Sequence, residues 1–315
     1  MMKLWEEAGK ITLFGREAYR YGSCVAAGVL AAMIAIGILS WAKRCKRGTF
    51  VLTSLLCILS GTLCSRIAFC LMNTELGFMM PVTSWFTKIT AGGWSMFGLI
   101  CGVFAAAVIS AKITDQPAGR LLDIVSCALP LFAAVERYAE KYSPDFFNMS
   151  RPLESSLLTD SFLTVTDDYG CYLATYKLAA IFSGLLFAGL FMYLIFRGKP
   201  GNTWLLFMIL FGAGSVLLES LRYDRFMSIT FVRLQQIMAM LMLGAGVMIP
   251  ALRRKKSERG LFLLAVITLT VAVVGGVGIE FALDRTDLSK ILLYVVFAAA
   301  VFAPAVTGIL LCRKE

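Results

Sequence analysis

Nine blocks of apolar residues, separated by polar stretches, constrain this chain more than any other feature of its sequence. An α-helix rises 1.5 Å per residue, so about 20 apolar residues cross the roughly 30 Å hydrocarbon core of a bilayer. Several blocks reach that length, and lipid is therefore the expected solvent for most of the chain. The predicted spans lie at about 22–42, 49–72, 92–111, 121–135, 173–196, 203–221, 231–251, 260–283 and 290–311.

The blocks show no alternation of apolar and polar residues with a period of two, which argues against an outer-membrane barrel. The predicted fold class is therefore all-α, a polytopic helical membrane protein. We expect an interfacial N-terminal segment at 1–21, a seven-helix membrane core at 22–252, and a basic loop with an appended helical hairpin at 253–315. The fourth block is short and holds Asp123 and Pro130, and its helix is expected to continue into the polar stretch that follows.

Lysine and arginine residues cluster in alternate loops, which indicates that these loops share the cytoplasmic side. This places the N-terminus outside and the C-terminus in the cytoplasm of a multi-pass inner-membrane protein. The net charge of +10 is explained by topology and by anionic lipid head groups rather than by nucleic acid. The chain has no histidine, and most of its nine cysteines lie inside apolar blocks without paired spacing. We therefore expect no metal, no cofactor and no disulfide framework.

Charged residues lie inside or at the ends of several spans, where each costs about 2.5–3.5 kcal/mol on insertion scales. Most lie toward the predicted outer ends, which indicates a polar cavity near the outer leaflet. Guanidinium groups bind phosphate in a bidentate fork, so such a cavity fits a phospholipid head group. Snorkelling of long side chains and an Arg66–Asp123 structural ion pair are the alternatives. The residues are Arg66, Asp123, Glu136, Arg137, Glu140, Lys177, Glu219, Arg222 and Arg233.

Several segments, in chain order, carry a recognisable pattern. They are Tyr21-Gly22, the small-residue run Gly61 to Arg66, the run Gly92-Gly93-Trp94-Ser95-Met96-Phe97-Gly98, the spaced set Asp123, Pro130 and Arg137, the stretch 212–224 with Glu219 and Arg222, and Gln236. Together, from about Tyr21 to about Leu252, they resemble the motifs of the prolipoprotein diacylglyceryl transferases. These bacterial inner-membrane enzymes move diacylglyceryl from phosphatidylglycerol to a lipobox cysteine thiol. The last two spans lie outside that family's usual seven-helix core.

The sequence departs from the family pattern at four positions. Phe97 stands where the family has a histidine, and Ser215 stands where it has the first arginine of the Glu/Arg motif. In the signature segment, Glu140 replaces an asparagine and Glu136 replaces the leading glycine. The resemblance therefore implies a divergent member, in which the usual proton transfer and head-group clamp are altered.

The resemblance implies a role for each matched position. Arg137 and Arg66 hold the lipid phosphate, Arg222 adds charge or orients it, Glu219 or Glu140 takes the proton of the thiol, and Tyr21 hydrogen-bonds the head group or the leaving oxygen. Asp123, Gly92, Gly93 and Ser95 are structural or orienting positions, with Ser95 as a helix cap. An aromatic-belt anchor at Tyr21 and an interfacial Glu219–Arg222 pair are the alternatives. The implied partners are phosphatidylglycerol and the signal peptide of a prolipoprotein.

Three functions remain open from the sequence alone. The first is diacylglyceryl transfer in lipoprotein biosynthesis at the outer face of the inner membrane. The second is a catalytically degenerate descendant that binds lipid or assists a partner protein, which the replaced histidine and arginine favour. The third is a lipid or small-molecule transporter, although the sequence shows no inverted repeat of the kind that transporters carry.

Overall fold

The structure is a computed structural model. It describes residues 9–13, 15–46, 48–73, 83–87, 93–143, 151–152, 161–167, 170–196, 199–223, 228–229, 232–254, 257–286 and 288–313.

Within these residues, nine helices are long and apolar enough to cross a membrane, which confirms the predicted fold class. Their bounds lie close to the predicted spans, because a bilayer imposes a minimum length on each helix. The helices are α1 Arg20–Ala42, α2 Thr49–Met72, α3 Met96–Thr114, α4 Ala118–Ala139, α5 Thr175–Phe196, α6 Thr203–Ser220, α7 Leu234–Arg254, α8 Arg259–Arg285 and α9 Lys290–Arg313.

The fourth helix is longer than its apolar block. It begins at Ala118, contains Pro130 and continues from Ala139 into a short 3₁₀ turn, Glu140–Tyr142. The expected extension into the polar stretch is therefore confirmed. It carries Glu136, Arg137 and Glu140 on one continuous helical end.

Short strands lie before α1 and in two of the connections. β1 Lys10–Leu13 pairs with β2 Arg16–Tyr19, so the described part of the N-terminal segment is an antiparallel hairpin that leads into α1. Its interfacial placement stays a prediction. β3 Arg151–Pro152 and β4 Thr164–Asp167 both pair with β5 Gly170–Leu173, and β6 Ser228–Ile229 pairs with β7 Val232–Arg233.

The described residues of the connections from α2 to α3, from α4 to α5 and from α6 to α7 lie at one end of the bundle. We call this the long-loop end. The short-loop end is the one that holds the described residues of the connections from α1 to α2, from α3 to α4 and from α5 to α6. Lys177 donates to the carbonyl oxygens of Phe162 (2.9 Å) and Thr164 (3.4 Å), so this lysine ties the start of α5 to the β4 region at the long-loop end.

Small residues bring α2 and α3 into close contact. A Cβ atom on Gly102 would lie 2.3 Å from the carbonyl oxygen of Ser60, and one on Gly98 would lie 2.6 Å from that of Cys64. The Ser60 hydroxyl donates to the Gly102 carbonyl oxygen at 2.8 Å. Glycines that let backbones approach, with hydroxyls that bridge them, are typical of helix packing in membranes.

Helices α4 and α6 form the centre of the bundle. They are the most enclosed of the spans: 61% and 72% of the residues in their 18-residue apolar stretches are buried inside the protein. Asp123, near the start of α4, accepts from the backbone N–H groups of Gly201 (2.6 Å) and Trp204 (3.0 Å). The first N–H groups of a helix have no partner within that helix, so Asp123 caps the start of α6 from a neighbouring helix. The two central helices are thereby aligned, and their other ends meet at the long-loop end.

Candidate functional site

A cluster of charged side chains joins the ends of α4 and α6. Glu140 lies between two guanidinium groups: its Oε1 accepts from Arg137 Nη1 at 2.5 Å and from Arg222 Nη1 at 3.2 Å. Arg137 is three residues from Glu140 along the chain, whereas Arg222 follows the end of α6. The 3₁₀ turn after α4 therefore places an acidic residue between two basic ones from different helices.

Glu219 is paired more loosely with the same two arginines. Its Oε1 lies 3.7 Å from Arg137 Nη2, and its Oε2 lies 3.8 Å from Arg222 Nε. The side chains of Arg137, Glu140 and Glu219 are only 16%, 10% and 7% exposed. Charges this far from solvent are weakly screened and must be paired, so the positions of the four groups are tightly linked.

Tyr21 enters the same cluster from α1. Its hydroxyl donates to Glu136 Oε1 at 3.1 Å, and Glu136 Oε2 lies 3.6 Å from Arg137 Nε. The two residues are 115 positions apart in the chain, and they meet because α1 packs along α4. A polar contact of this kind goes beyond an aromatic side chain that simply anchors a helix at the membrane surface.

A small cleft, with a cavity volume of about 20 Å³, lies beside the cluster. Charged groups line one part of it, and apolar side chains of α5 and α6 line the other. A phospholipid likewise has a charged head group joined to apolar chains, so its two parts match the charged and the apolar lining of the cleft. The lining residues are Arg137, Glu140, Thr175, Ala179, Phe182, Ser183, Phe211, Ser215, Leu218, Glu219 and Arg222.

Arg66 contacts a different part of the protein. It is 1% exposed, and it donates from Nε to the carbonyl oxygen of Trp85 at 2.7 Å and from Nη1 to that of Gly93 at 2.8 Å. Its guanidinium also lies 5.7 Å and 5.8 Å from the ring centroids of Phe69 and Trp94. The structure thus does not bring Arg66 into the Arg137–Arg222 cluster, and the phosphate-binding role that the resemblance implied for it stays a prediction. These contacts instead tie α2 to the residues before α3.

Profiles of known protein families match residues 10–252 of the chain to the family described as prolipoprotein diacylglyceryl transferase. The chain belongs to this family. The match covers β1 to α7 and ends before the last two helices.

Individual relatives carry the same family name at low identity. The chain is similar to the phosphatidylglycerol–prolipoprotein diacylglyceryl transferase of Symbiobacterium thermophilum, at 26% identity over 176 residues, 55% of this chain and 66% of that protein. The enzymes of that name from Bacillus velezensis and Acaryochloris marina are 23% and 24% identical over 243 and 246 residues. Those two matches cover 75% and 74% of this chain, and 88% and 89% of the relatives.

Two replaced family positions lie in or behind the cleft. Phe97, where the family has a histidine, is 7% exposed and packs edge-on against Phe211 with ring centroids 6.4 Å apart. Phe211 in turn lines the cleft, as does Ser215 in place of the family arginine. Phe97 and Phe211 therefore form an apolar wall on this side of the cleft, and the charged residues that line it all belong to the cluster.

Two of the structural positions predicted from the third motif, Ser95 and Gly93, lie within the described residues. Ser95 is the residue before α3, and its hydroxyl oxygen accepts from the N–H group of Gly98 at 3.3 Å, which confirms the helix cap. Gly93 has a φ of +90°, and a Cβ atom there would lie 2.2 Å from the Phe69 ring, so only glycine fits. Gly92 lies outside the described residues.

Asp123 lies away from the charged cluster and the cleft. It lies at the short-loop end, 13 residues before Glu136 on α4, or about 20 Å along a helix. Its partners are the backbone groups at the start of α6, and the Arg66–Asp123 ion pair considered from the sequence does not form. A carboxylate within a span can be needed simply to cap a neighbouring helix.

The contacts of Glu136, Arg233 and Gln236 were not predicted from the sequence. Arg233 Nη2 donates to the carbonyl oxygen of Arg222 at 2.5 Å, and Gln236 Nε2 donates to that of Val216 at 3.3 Å. Glu136 precedes an arginine at the end of an apolar helix, and a charged residue in such a place indicates a functional site or a charged partner. Within the described residues, no group of three or more His, Cys, Asp or Glu side chains is placed to hold a metal ion.

Proposed function

We propose that the chain transfers diacylglyceryl from phosphatidylglycerol to the lipobox cysteine thiol of prolipoproteins, at the outer face of the inner membrane. The observation that carries the proposal is the convergence of Arg137 and Arg222 on one point beside a cleft. Family membership supports this reaction, and it does not favour the transporter or accessory alternatives. The long-loop end is the outer end in this proposal.

The point between the two guanidinium groups is the proposed phosphate site. In the structure it holds the Glu140 carboxylate, an anion with the same preference for paired N–H donors. Binding of the lipid moves Glu140 aside, and the phosphate takes its place between Arg137 and Arg222. The lipid chains then extend along the apolar side of the cleft, past Phe182 and Leu218.

The proposed reaction is a substitution at the glyceryl carbon. The cysteine loses its proton, because the thiolate is the nucleophile. A bond forms between the sulfur and the glyceryl carbon, and the bond from that carbon to the phosphate oxygen breaks. Glycerol phosphate leaves with the negative charge, which the guanidinium groups of Arg137 and Arg222 stabilise. Those two residues also hold the phosphate in line with the approaching sulfur.

Glu219 is the better placed of the two candidate bases. Glu140 already accepts hydrogen bonds from two guanidinium groups at 2.5 and 3.2 Å, whereas the contacts of Glu219 are 3.7 and 3.8 Å. A carboxylate oxygen in short contact with two donors is less open to an incoming proton. Glu219 also lines the cleft. In this proposal Tyr21 holds Glu136 beside Arg137 and hydrogen-bonds the head group from the α1 side.

The test is complementation together with an assay in vesicles. A bacterium depleted of its own transferase is supplied with this chain, and the purified protein is assayed on phosphatidylglycerol with a lipobox peptide. Rescue and thioether product are expected for the unaltered chain, with a loss of about 10²–10³-fold in Arg137→Ala. Arg120→Ala is the matched control, because it removes a guanidinium from the other end of α4. Full activity of Arg137→Ala contradicts the assignment of this residue, and inactivity of the unaltered chain in both assays contradicts the proposed function.

A further inference from the structure

The last two helices lie beyond the family match, yet they contact the helix end that carries the site. The family match ends at residue 252, whereas α8 and α9 span Arg259–Arg285 and Lys290–Arg313. Apolar packing seats this hairpin: Phe297 and Val301 are buried, and Gly308 brings α9 against Ile209 of α6. Polar contacts at the long-loop end then connect it to the last turns of α6.

Tyr294, near the start of α9, contacts the final residue of α6. Its hydroxyl donates to the carbonyl oxygen of Ser220 at 3.0 Å and lies 3.5 Å from the Ser220 hydroxyl. The last carbonyl groups of a helix have no partner within that helix, so they require donors from elsewhere. Ser220 directly follows Glu219, so the bond from Tyr294 fixes the backbone on which Glu219 is carried.

Glu280 of α8 reaches the same helix through Gln236. The Gln236 amide nitrogen donates to Glu280 Oε1 at 2.6 Å and to the carbonyl oxygen of Val216 at 3.3 Å, while its oxygen accepts from the backbone N–H of Arg233 at 3.0 Å. An ionised carboxylate accepts hydrogen bonds and donates none, so Glu280 requires the nitrogen side of the amide to face it. With the Gln236 amide nitrogen facing Glu280, the same nitrogen also donates to Val216 of α6 and the amide oxygen accepts from Arg233.

These contacts fall on consecutive turns of one helix face. Val216 and Ser220 are four residues apart, which places their backbone carbonyls one above the other along α6. Arg233 donates to the carbonyl oxygen of Arg222, just beyond the helix end. The segment that presents Glu219 and Arg222 to the cleft is therefore held from the side away from Arg137, and the hairpin supplies two of the groups that hold it.

We propose that Tyr294 and Glu280 are positioning residues for the site, so that the appended hairpin holds Glu219 and Arg222 in register with Arg137. The catalytic part of this inference rests on the proposed function. Neither residue touches the cleft; each acts through the backbone of α6 or through Gln236. Small displacements of catalytic groups lower turnover more than they lower substrate binding.

The test uses the full chain in lipid nanodiscs and compares Tyr294→Phe, Glu280→Ala and Glu280→Gln. The control is Thr307→Val, which removes a buried hydroxyl from the same helix α9, about 20 Å from Tyr294. We expect Tyr294→Phe and Glu280→Ala to lower kcat about tenfold with KM within about twofold. Glu280→Gln keeps an acceptor for Gln236 and is expected to retain most of the activity.

Hydrogen exchange of the backbone gives a second readout that does not depend on catalysis. Tyr294→Phe and Glu280→Ala are expected to speed exchange severalfold in residues 216–223, whereas Thr307→Val and Glu280→Gln leave this segment unchanged. If the unaltered chain lacks transfer activity, the proposed function fails, and the exchange data still decide whether the hairpin holds α6. Unchanged exchange and unchanged kcat in Tyr294→Phe and Glu280→Ala overturn the inference, as does an equal loss of kcat in Thr307→Val.

Discussion

The two ends of the α4–α6 pair both hold buried charge, but they use it differently. At the short-loop end, Asp123 accepts from the backbone N–H groups of Gly201, just before α6, and of Trp204, in its first turn. At the long-loop end, Glu140 and Glu219 share two guanidinium groups beside an open cleft. Both carboxylate sets are nearly inaccessible to solvent. Burial alone therefore does not mark a functional site. The long-loop end differs in that its charged side chains line a cleft.

The largest expected effect comes from removing the charge of Glu219. We expect Glu219→Gln to lower kcat by about 10²–10⁴-fold, the usual contribution of general acid–base catalysis, while the protein remains folded and inserted. The assay is transfer to a lipobox peptide in vesicles. Glu258→Gln is the matched control, because Glu258 lies 3.6 Å from Arg254 in an ion pair at the short-loop end. A loss of less than tenfold in Glu219→Gln would assign the base to another group.

Asp123 gives the opposite pattern, an effect on stability without an effect on turnover. Asp123→Ala leaves the N–H groups of Gly201 and Trp204 without their acceptor, which lowers the free energy of unfolding by about 1–2 kcal/mol, as for other helix caps. Thermal unfolding in detergent measures the loss, and activity per folded molecule stays unchanged. Asp115→Asn serves as the control at the same end of the bundle, since that side chain is 88% exposed and asparagine tolerates the left-handed φ of +50° at this position. A drop in specific activity for Asp123→Ala would break the distinction between the two ends.

The smallest expected effect is a gain in lipid affinity. Glu140 competes with the phosphate for Arg137 and Arg222, so Glu140→Gln is expected to lower KM for phosphatidylglycerol about threefold with little change in kcat. The measurement is the dependence of the initial rate on the mole fraction of phosphatidylglycerol in vesicles. A raised KM would mean that Glu140 helps to bind the lipid rather than standing in for its phosphate.

Much of the fold follows from the sequence, whereas the partners of the charged side chains do not. The apolar blocks predict the nine spanning helices found in the described part of the chain, and the cap at Ser95 follows from its position before an apolar run. The motifs single out Tyr21, Arg137, Glu140, Glu219 and Arg222, which the structure brings together. Arg66 carries an equally plausible motif but contacts the backbone of Trp85 and Gly93. Arg66 and Arg137 each lie in a motif within or at the end of an apolar span. The sequence alone therefore does not show which of them belongs to the cluster.

The sequence by itself determined that this chain is a bundle of membrane helices, because every helix that crosses a bilayer must bury its backbone hydrogen bonds and present about 20 apolar residues to lipid. These are local requirements, and local composition satisfies them. Only the tertiary structure decided that Asp123 caps α6, that Glu140 joins Arg137 to Arg222, and that Tyr294 and Glu280 reach the end of α6. Each of these contacts joins helices that are distant in the chain, and which helices become neighbours is set by packing of the whole bundle.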